Sequence, residues 1–243
     1  MKGILTFLHM TNDTEMPITE HLDELRKRLL IILIIFAIAT TGSFFILKEL
    51  TKILQEPAHS IRFLQLAPGE YFFVSIKIAI YSGLILSCPF AIYQIIMFIL
   101  PGLTSKEAKI TISTLTGSIF LFFTGILFGY SILAPAALTF FINYGADIIE
   151  PIWSFEQYFD FIFLLLFSTG LAFQIPVIQV LLGLLNILSS HTMLSVWKYM
   201  ILASTIVGAV LTPSTDPITQ IIMSTAILGL YFIGIGILIG LKK

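Results

Sequence analysis

Three consecutive cations, Arg26, Lys27 and Arg28, stop at Leu29, and no charge follows until Lys48. About 20 apolar residues in a helix cross the ~30 Å hydrocarbon core of a bilayer. Inside that core every backbone N–H and C=O must be satisfied within the structure itself, so an isolated apolar run of this kind has to be a helix. A basic cluster at the foot of such a helix is retained on the cytoplasmic side, and this sets the direction of every later span. Basic residues before an apolar run also describe a signal peptide. The length of the run and the further apolar segments after it make it a retained span.

The composition agrees. The chain is 57% hydrophobic and 11% charged, with a mean hydropathy of +1.00. A water-facing domain carries about 25% charge, so this is an integral membrane protein, expected to be all-α. Residues 1–18 read as a polar tail and 19–243 as a single membrane domain. Spans are expected at about 29–47, 70–100, 109–134, 155–185, 196–211 and 217–241. The second segment would be on the order of 45 Å long, at ~1.5 Å per residue, with Pro89 as its kink. The fifth would be short. Lys77, near the outer end of span 2, can snorkel towards the outer surface. Pro135 should end span 3, Ser154-x-x-Gln157 should cap the start of span 4, and Asp216 with Pro217 should open span 6.

Cation placement orients the set. Lys2, Arg26, Lys27, Arg28, Lys106, Lys109, Lys198, Lys242 and Lys243 fall on one side, and Lys48, Lys52 and Arg62 on the other. That bias puts both termini on the cytoplasmic or stromal side.

Polar residues near the membrane carry the functional signal. Glu24 can form a surface ion pair with Arg28 four residues on, and Thr104-x-x-Glu107 can be a capping box. Yet both carboxylates stand at the same inner surface, each just before a span. Two such groups, partly shielded from water, suit two guanidinium forks. Gln174, followed by Pro176, interrupts span 4. It can bond across to another helix or satisfy the Ala172 carbonyl that the proline frees. Gln179 lies on a different face. Gly125-x-x-x-Gly129 in span 3 allows close approach of a neighbour.

No G-x-S-x-G, H-E-x-x-H or glycine-rich phosphate loop occurs, so nothing supports an enzyme. One cysteine, Cys88, and four scattered histidines offer no metal-ligand spacing, so neither metal nor cofactor is expected. A secondary transporter of a small solute is the alternative class. Against it, spans 1 and 3–6 show no ionisable residue near mid-membrane, and the halves show no internal repeat.

His21-Leu22-x-Glu24-Leu25-Arg26-Lys27-Arg28-Leu29 resembles the N-terminal signature of TatC, the multi-spanning subunit of the twin-arginine protein translocase. Pro89-x-x-x-Tyr93-Gln94-x-x-x-Phe98-x-x-Pro101-Gly102-Leu103, with Glu107 after it, resembles the same family. So do Phe173-x-x-Pro176, Leu211-Thr212-Pro213 and Asp216, which extends the likeness from about residue 19 to 240. The resemblance implies a receptor for signal peptides bearing two consecutive arginines. It would work with single-span TatA- and TatB-type subunits and further copies of itself, exporting folded cargo on the proton-motive force, with no nucleic acid involved. It assigns Glu24, Arg26, Phe98 and Glu107 to signal-peptide binding, and Pro57, Gln174 and Asp216 to partner-helix contact or translocation. Many bacterial members carry glutamate where this chain has Gln174, an amide that hydrogen-bonds but cannot titrate. Ten lysines to three arginines and abundant isoleucine suit an AT-rich genome. With no Ser- and Arg-rich transit peptide at the N-terminus, a plastid thylakoid membrane is expected, with a bacterial inner membrane as the alternative.

Overall fold

A computed structural model describes residues 18–58, 61–99, 105–144, 148, 150–212 and 216–241, without the side chains of 18, 19, 96, 99, 105–113 and 115. Span 1 is α1 (Ile18–Phe45), followed by a short outer helix α2 (Leu47–Gln55) and a 3-10 turn at Glu56–Ala58. After strand β1 (Arg62–Leu64), span 2 is α3 (Glu70–Ile99). Span 3 combines α4 (Ser105–Phe128), a π turn (Gly129–Leu133) and α5 (Ala134–Tyr144). Strand β2 (Ile152–Ser154) leads into span 4, which is α6 (Phe155–Ala172) and α7 (Ile175–Leu184). Span 5 is α8 (Ser190–Ser195) running into α9 (Trp197–Leu211), and span 6 is α10 (Pro217–Gly240).

Five of these helices are long and apolar enough to cross a membrane, and the shorter Trp197–Leu211 completes six. The protein is an all-α, multi-pass membrane protein. An even number of crossings leaves Ile18 and Gly240 at the same face, the face that collects the cations.

Boundaries differ from the sequence expectation where backbone geometry intervenes. Span 1 begins at Ile18 because the charged stretch and the apolar run form one helix, and it ends at Phe45. Span 3 passes through Pro135 to Tyr144, because the π turn changes the hydrogen-bond register just before the proline. The Ala134 N–H donates to Gly129 O, and the helix resumes. Span 2 keeps its expected bounds, Glu70–Ile99, with Pro89 inside the helix. Span 5 gains α8 across a one-residue break at Val196, so the rod reaches about 33 Å at ~1.5 Å per residue.

The two outer segments are not plain loops. β1 and β2 pair in parallel, Arg62 opposite Ile152 and Leu64 opposite Ser154. The Glu70 carboxylate fastens this cap. Its Oε2 accepts from the N–H groups of Leu66 and Ala67 (2.5 and 3.1 Å). Its Oε1 accepts from the N–H of Glu156 (3.0 Å) and the Ser154 hydroxyl (3.4 Å). One carboxylate therefore serves the starts of spans 2 and 4 together, where the helix dipoles favour negative charge.

Span 4 is the centre of the bundle and span 1 its periphery, since 67% of the apolar window of span 4 is buried against 6% for span 1. Phe159, Ile162, Phe163, Leu165 and Leu166 of span 4 pack with Val74 and Ile78 of span 2, Leu133 of span 3, and Met223 and Ile227 of span 6. Gly125 and Gly129 form the crossing of spans 3 and 4. A methyl at either would lie 2.8 Å from the Thr169 carbonyl or 2.4 Å from its hydroxyl. Span 1 packs chiefly on span 2, and at their crossing a Cβ on Gly83 would sit 2.7 Å from the Thr40 backbone.

Gly83→Ala should separate spans 1 and 2, at a cost of about 1–3 kcal/mol as for other overpacked sites. Thermal unfolding of the purified protein in detergent measures the loss. Glu70→Gln should open the outer cap, read as faster proteolysis of the 48–69 segment than in the wild type. Unchanged proteolysis would show that the carboxylate is dispensable.

Candidate functional site at the inner face

Helical periodicity decides which residues of the charged foot can act together. Residues three and four apart share a face, so His21, Glu24 and Arg28 line one side of α1. Span 2 runs antiparallel beside it and presents Gln94 and Phe98, also four apart. The two rows meet. The His21 ring stacks on Phe98 with centroids 4.2 Å apart and planes at 21°. One to two turns further into the membrane, the Arg28 guanidinium bridges the helices. Its Nε donates to Glu24 Oε1 at 3.0 Å, its Nη2 donates to the same oxygen, and its Nη1 donates to Gln94 Oε1 at 3.0 Å.

The Glu24 and Arg28 side chains keep 25% and 19% of their exposure. That places them at a rim where water is thinned but still has access, and where charge-assisted bonds gain strength. The result is a short groove with an aromatic wall, an amide and a carboxylate that already grips a guanidinium.

Of the residues expected at this site, the structure brings Glu24 and Phe98 to one groove. Arg26 stands two residues from Glu24, on the other side of the helix, and is exposed. Glu107 belongs to the first turn of α4, but its side chain, with Thr104 and the Pro101-Gly102-Leu103 motif, lies outside the described residues. His21, Gln94 and Arg28 complete the groove and were not singled out as binding residues. The 21/24/28 spacing was legible; the facing row on span 2 needed the helix pairing.

The other expected residues lie elsewhere. Gln174, buried, closes a reciprocal pair with span 3: the Ser118 hydroxyl donates to its Oε1 at 2.5 Å, and its Nε2 donates to Ser118 O at 3.2 Å. Its amide is thus spent across the bundle, not on Ala172. Pro57 stops α2 at the outer cap, where hydroxyls take over the helix-end carbonyls. Tyr130 donates to Ile53 O at 2.8 Å and Tyr158 to Leu54 O at 2.6 Å. Asp216 is buried and accepts from the Thr219 N–H at 2.7 Å, capping span 6. Lys77 donates to Glu156 Oε1 at 2.6 Å and Asp160 Oδ2 at 2.9 Å, tying span 2 to the outer end of span 4. Among the described residues no group of three His, Cys, Asp or Glu is placed to hold a metal.

Comparison with known proteins follows the same lines. The family model described as Sec-independent protein translocase protein (TatC) matches residues 20–225. A tatC-like protein, ycf43, of Porphyra purpurea is 62% identical over 96% of this chain and 91% of its own length. The Sec-independent protein translocase protein TatC of Synechocystis sp. is 52% identical over 93% of this chain and 89% of its own. A chloroplastic TATC of Pisum sativum is 48% identical over 93% of this chain and 64% of its own. A crystal structure of the twin-arginine translocase receptor TatC superimposes with a TM-score of 0.77 at 32% identity. It covers 92% of this chain and all of the other. The chloroplastic and cyanobacterial relatives agree with a plastid or thylakoid membrane. The chain belongs to the TatC family and is a multi-pass subunit of the Sec-independent protein translocase.

Proposed function

We propose that the inner-face groove between spans 1 and 2 receives the paired arginines of a twin-arginine signal peptide. The chain then assembles with TatA- and TatB-type single-span subunits and with further copies of itself, to export folded proteins on the proton-motive force. One observation carries the reading: Glu24 already holds a guanidinium, in a groove walled by Phe98 and reachable from the cytoplasmic or stromal side. A second arginine needs a second acid. Glu107, at the start of the next span on the same side, is the group we assign to it. Arg26, exposed on the far side of α1, is assigned to the outer approach of the leader. The groove lies at the periphery of the bundle, beside the least buried span, which favours a receptor over a small-solute transporter.

Pro57, Gln174 and Asp216 are proposed to act through the frame they hold. Gln174 and Asp216 are buried and already bonded within the chain, and Pro57 ends the helix that the Tyr130 and Tyr158 hydroxyls finish. Any effect of these residues on partner assembly therefore passes through helix position.

A photo-crosslinker at Phe98 should label a twin-arginine leader peptide and lose the product when Arg-Arg becomes Lys-Lys. A transporter gives no such difference. Neutralising both acids, Glu24→Gln with Glu107→Gln, should weaken leader binding at least about tenfold, the equivalent of ~1.4 kcal/mol, with the unfolding temperature kept. Undiminished binding would remove the two-acid reading. Gln174→Leu should lower unfolding free energy by ~0.6–2 kcal/mol, the range for interhelical hydrogen bonds in membranes. Loss of partner co-purification at wild-type stability would instead place Gln174 in direct contact with a partner.

A further inference from the structure

We infer that Arg28 is a specificity-determining residue of this groove: a resident guanidinium that occupies Glu24, for which an incoming arginine must exchange, and which Gln94 keeps when it does. The inference rests on the twin-arginine reading above.

Arg28 uses all three of its nitrogens. Nε and Nη2 converge on Glu24 Oε1, and Nη1 donates to Gln94 Oε1. Among the described residues no donor reaches Glu24 Oε2, so the carboxylate is half engaged. One edge faces Arg28, and no described residue takes the other. The site therefore already contains the chemistry that it is proposed to recognise, supplied from one helical turn away.

A tethered group competes as though present at millimolar concentration or above. An incoming cation that only matches the charge of Arg28 gains little over what Glu24 has. A lysine ammonium is a compact, strongly hydrated point charge, and it cannot present two parallel donors to a carboxylate. A guanidinium can take the open edge bidentately while Arg28 slides off Oε1. Gln94 makes the exchange tolerable, since its amide oxygen still accepts from Nη1 and the displaced guanidinium is not left without a partner in a half-dry groove. Discrimination of arginine from lysine then comes from competition with a resident arginine as much as from the acids themselves.

The test uses the full chain in detergent or nanodiscs, with a fluorescent synthetic peptide carrying an Arg-Arg n-region before an apolar segment, and its Lys-Lys counterpart. Arg28→Gln should tighten the Arg-Arg peptide by between about two- and tenfold. It should tighten the Lys-Lys peptide by more, so that the ratio between them narrows. Gln94→Leu should weaken the Arg-Arg peptide in the wild-type background and have no effect when combined with Arg28→Gln. Unchanged or weaker Arg-Arg binding in Arg28→Gln would overturn the inference and make Arg28 a support that holds Glu24 in place. Equal effects of Gln94→Leu in both backgrounds would also overturn it, because Gln94 would then touch the peptide directly. Should Arg28→Gln fail to fold, Arg28→Lys keeps the charge and the inner-side cluster, and should narrow the same ratio by a smaller factor; an unnarrowed ratio there counts against the inference as well. If the wild type distinguishes the two peptides through Glu24 and Glu107 while Arg28→Gln does not tighten, only this inference falls. If neutralising both acids changes nothing, the function proposed above falls with it.

Discussion

Apolar side chains gain little by leaving lipid for protein, so helices inside hydrocarbon are held by close backbone approach and by hydrogen bonds that lipid cannot supply. In this chain both are concentrated on span 4. Gly125 and Gly129 bring span 3 against Thr169, and Gln174 exchanges two bonds with Ser118. Glu156 and Asp160 take the Lys77 ammonium of span 2. Of these, the buried Gln174–Ser118 exchange is the one whose loss strands polar groups away from water. The other spans are arranged around that helix.

Span 1 stands outside this scheme. Among the described residues it leans chiefly on span 2, and its close crossing at Gly83 is matched at the inner end by the Arg28 bridge and the His21–Phe98 stack. The groove proposed for recognition thus lies beside the least buried span. On the proposed function, a leader arriving from the aqueous side would meet a rim set apart from the core around Phe159 and Phe163.

How much of this could be read from residues alone divides along physical lines. The apolar runs, the cation bias and the caps at Ser154 and Asp216 depend on local sequence, and they were legible. Glu24 and Phe98 were singled out through their motifs; that Phe98 stacks on His21 was not legible, because the contact joins residues far apart along the chain. The π turn at Gly129 hid the continuation of span 3, since a proline at 135 ordinarily ends a helix and nothing local announces a change of register. The β1–β2 pairing escaped for a related reason: three-residue strands in polar segments carry almost no periodic signal. The Lys77 ion pairs were not legible because its two acids lie on another helix, and Glu70 was read as the first residue of a span although its carboxylate serves two.

The parallel pairing of β1 with β2 has a mechanical corollary. With Glu70 spanning the same junction, the outer ends of spans 2 and 4 are stitched edge to edge. Any displacement produced by a ligand at the opposite rim then has to be taken up as tilt about that stitched edge, in the manner of tongs joined at one end. A pull of about an ångström at the proposed leader site would be carried along the rods as rotation, and would fade towards the seam.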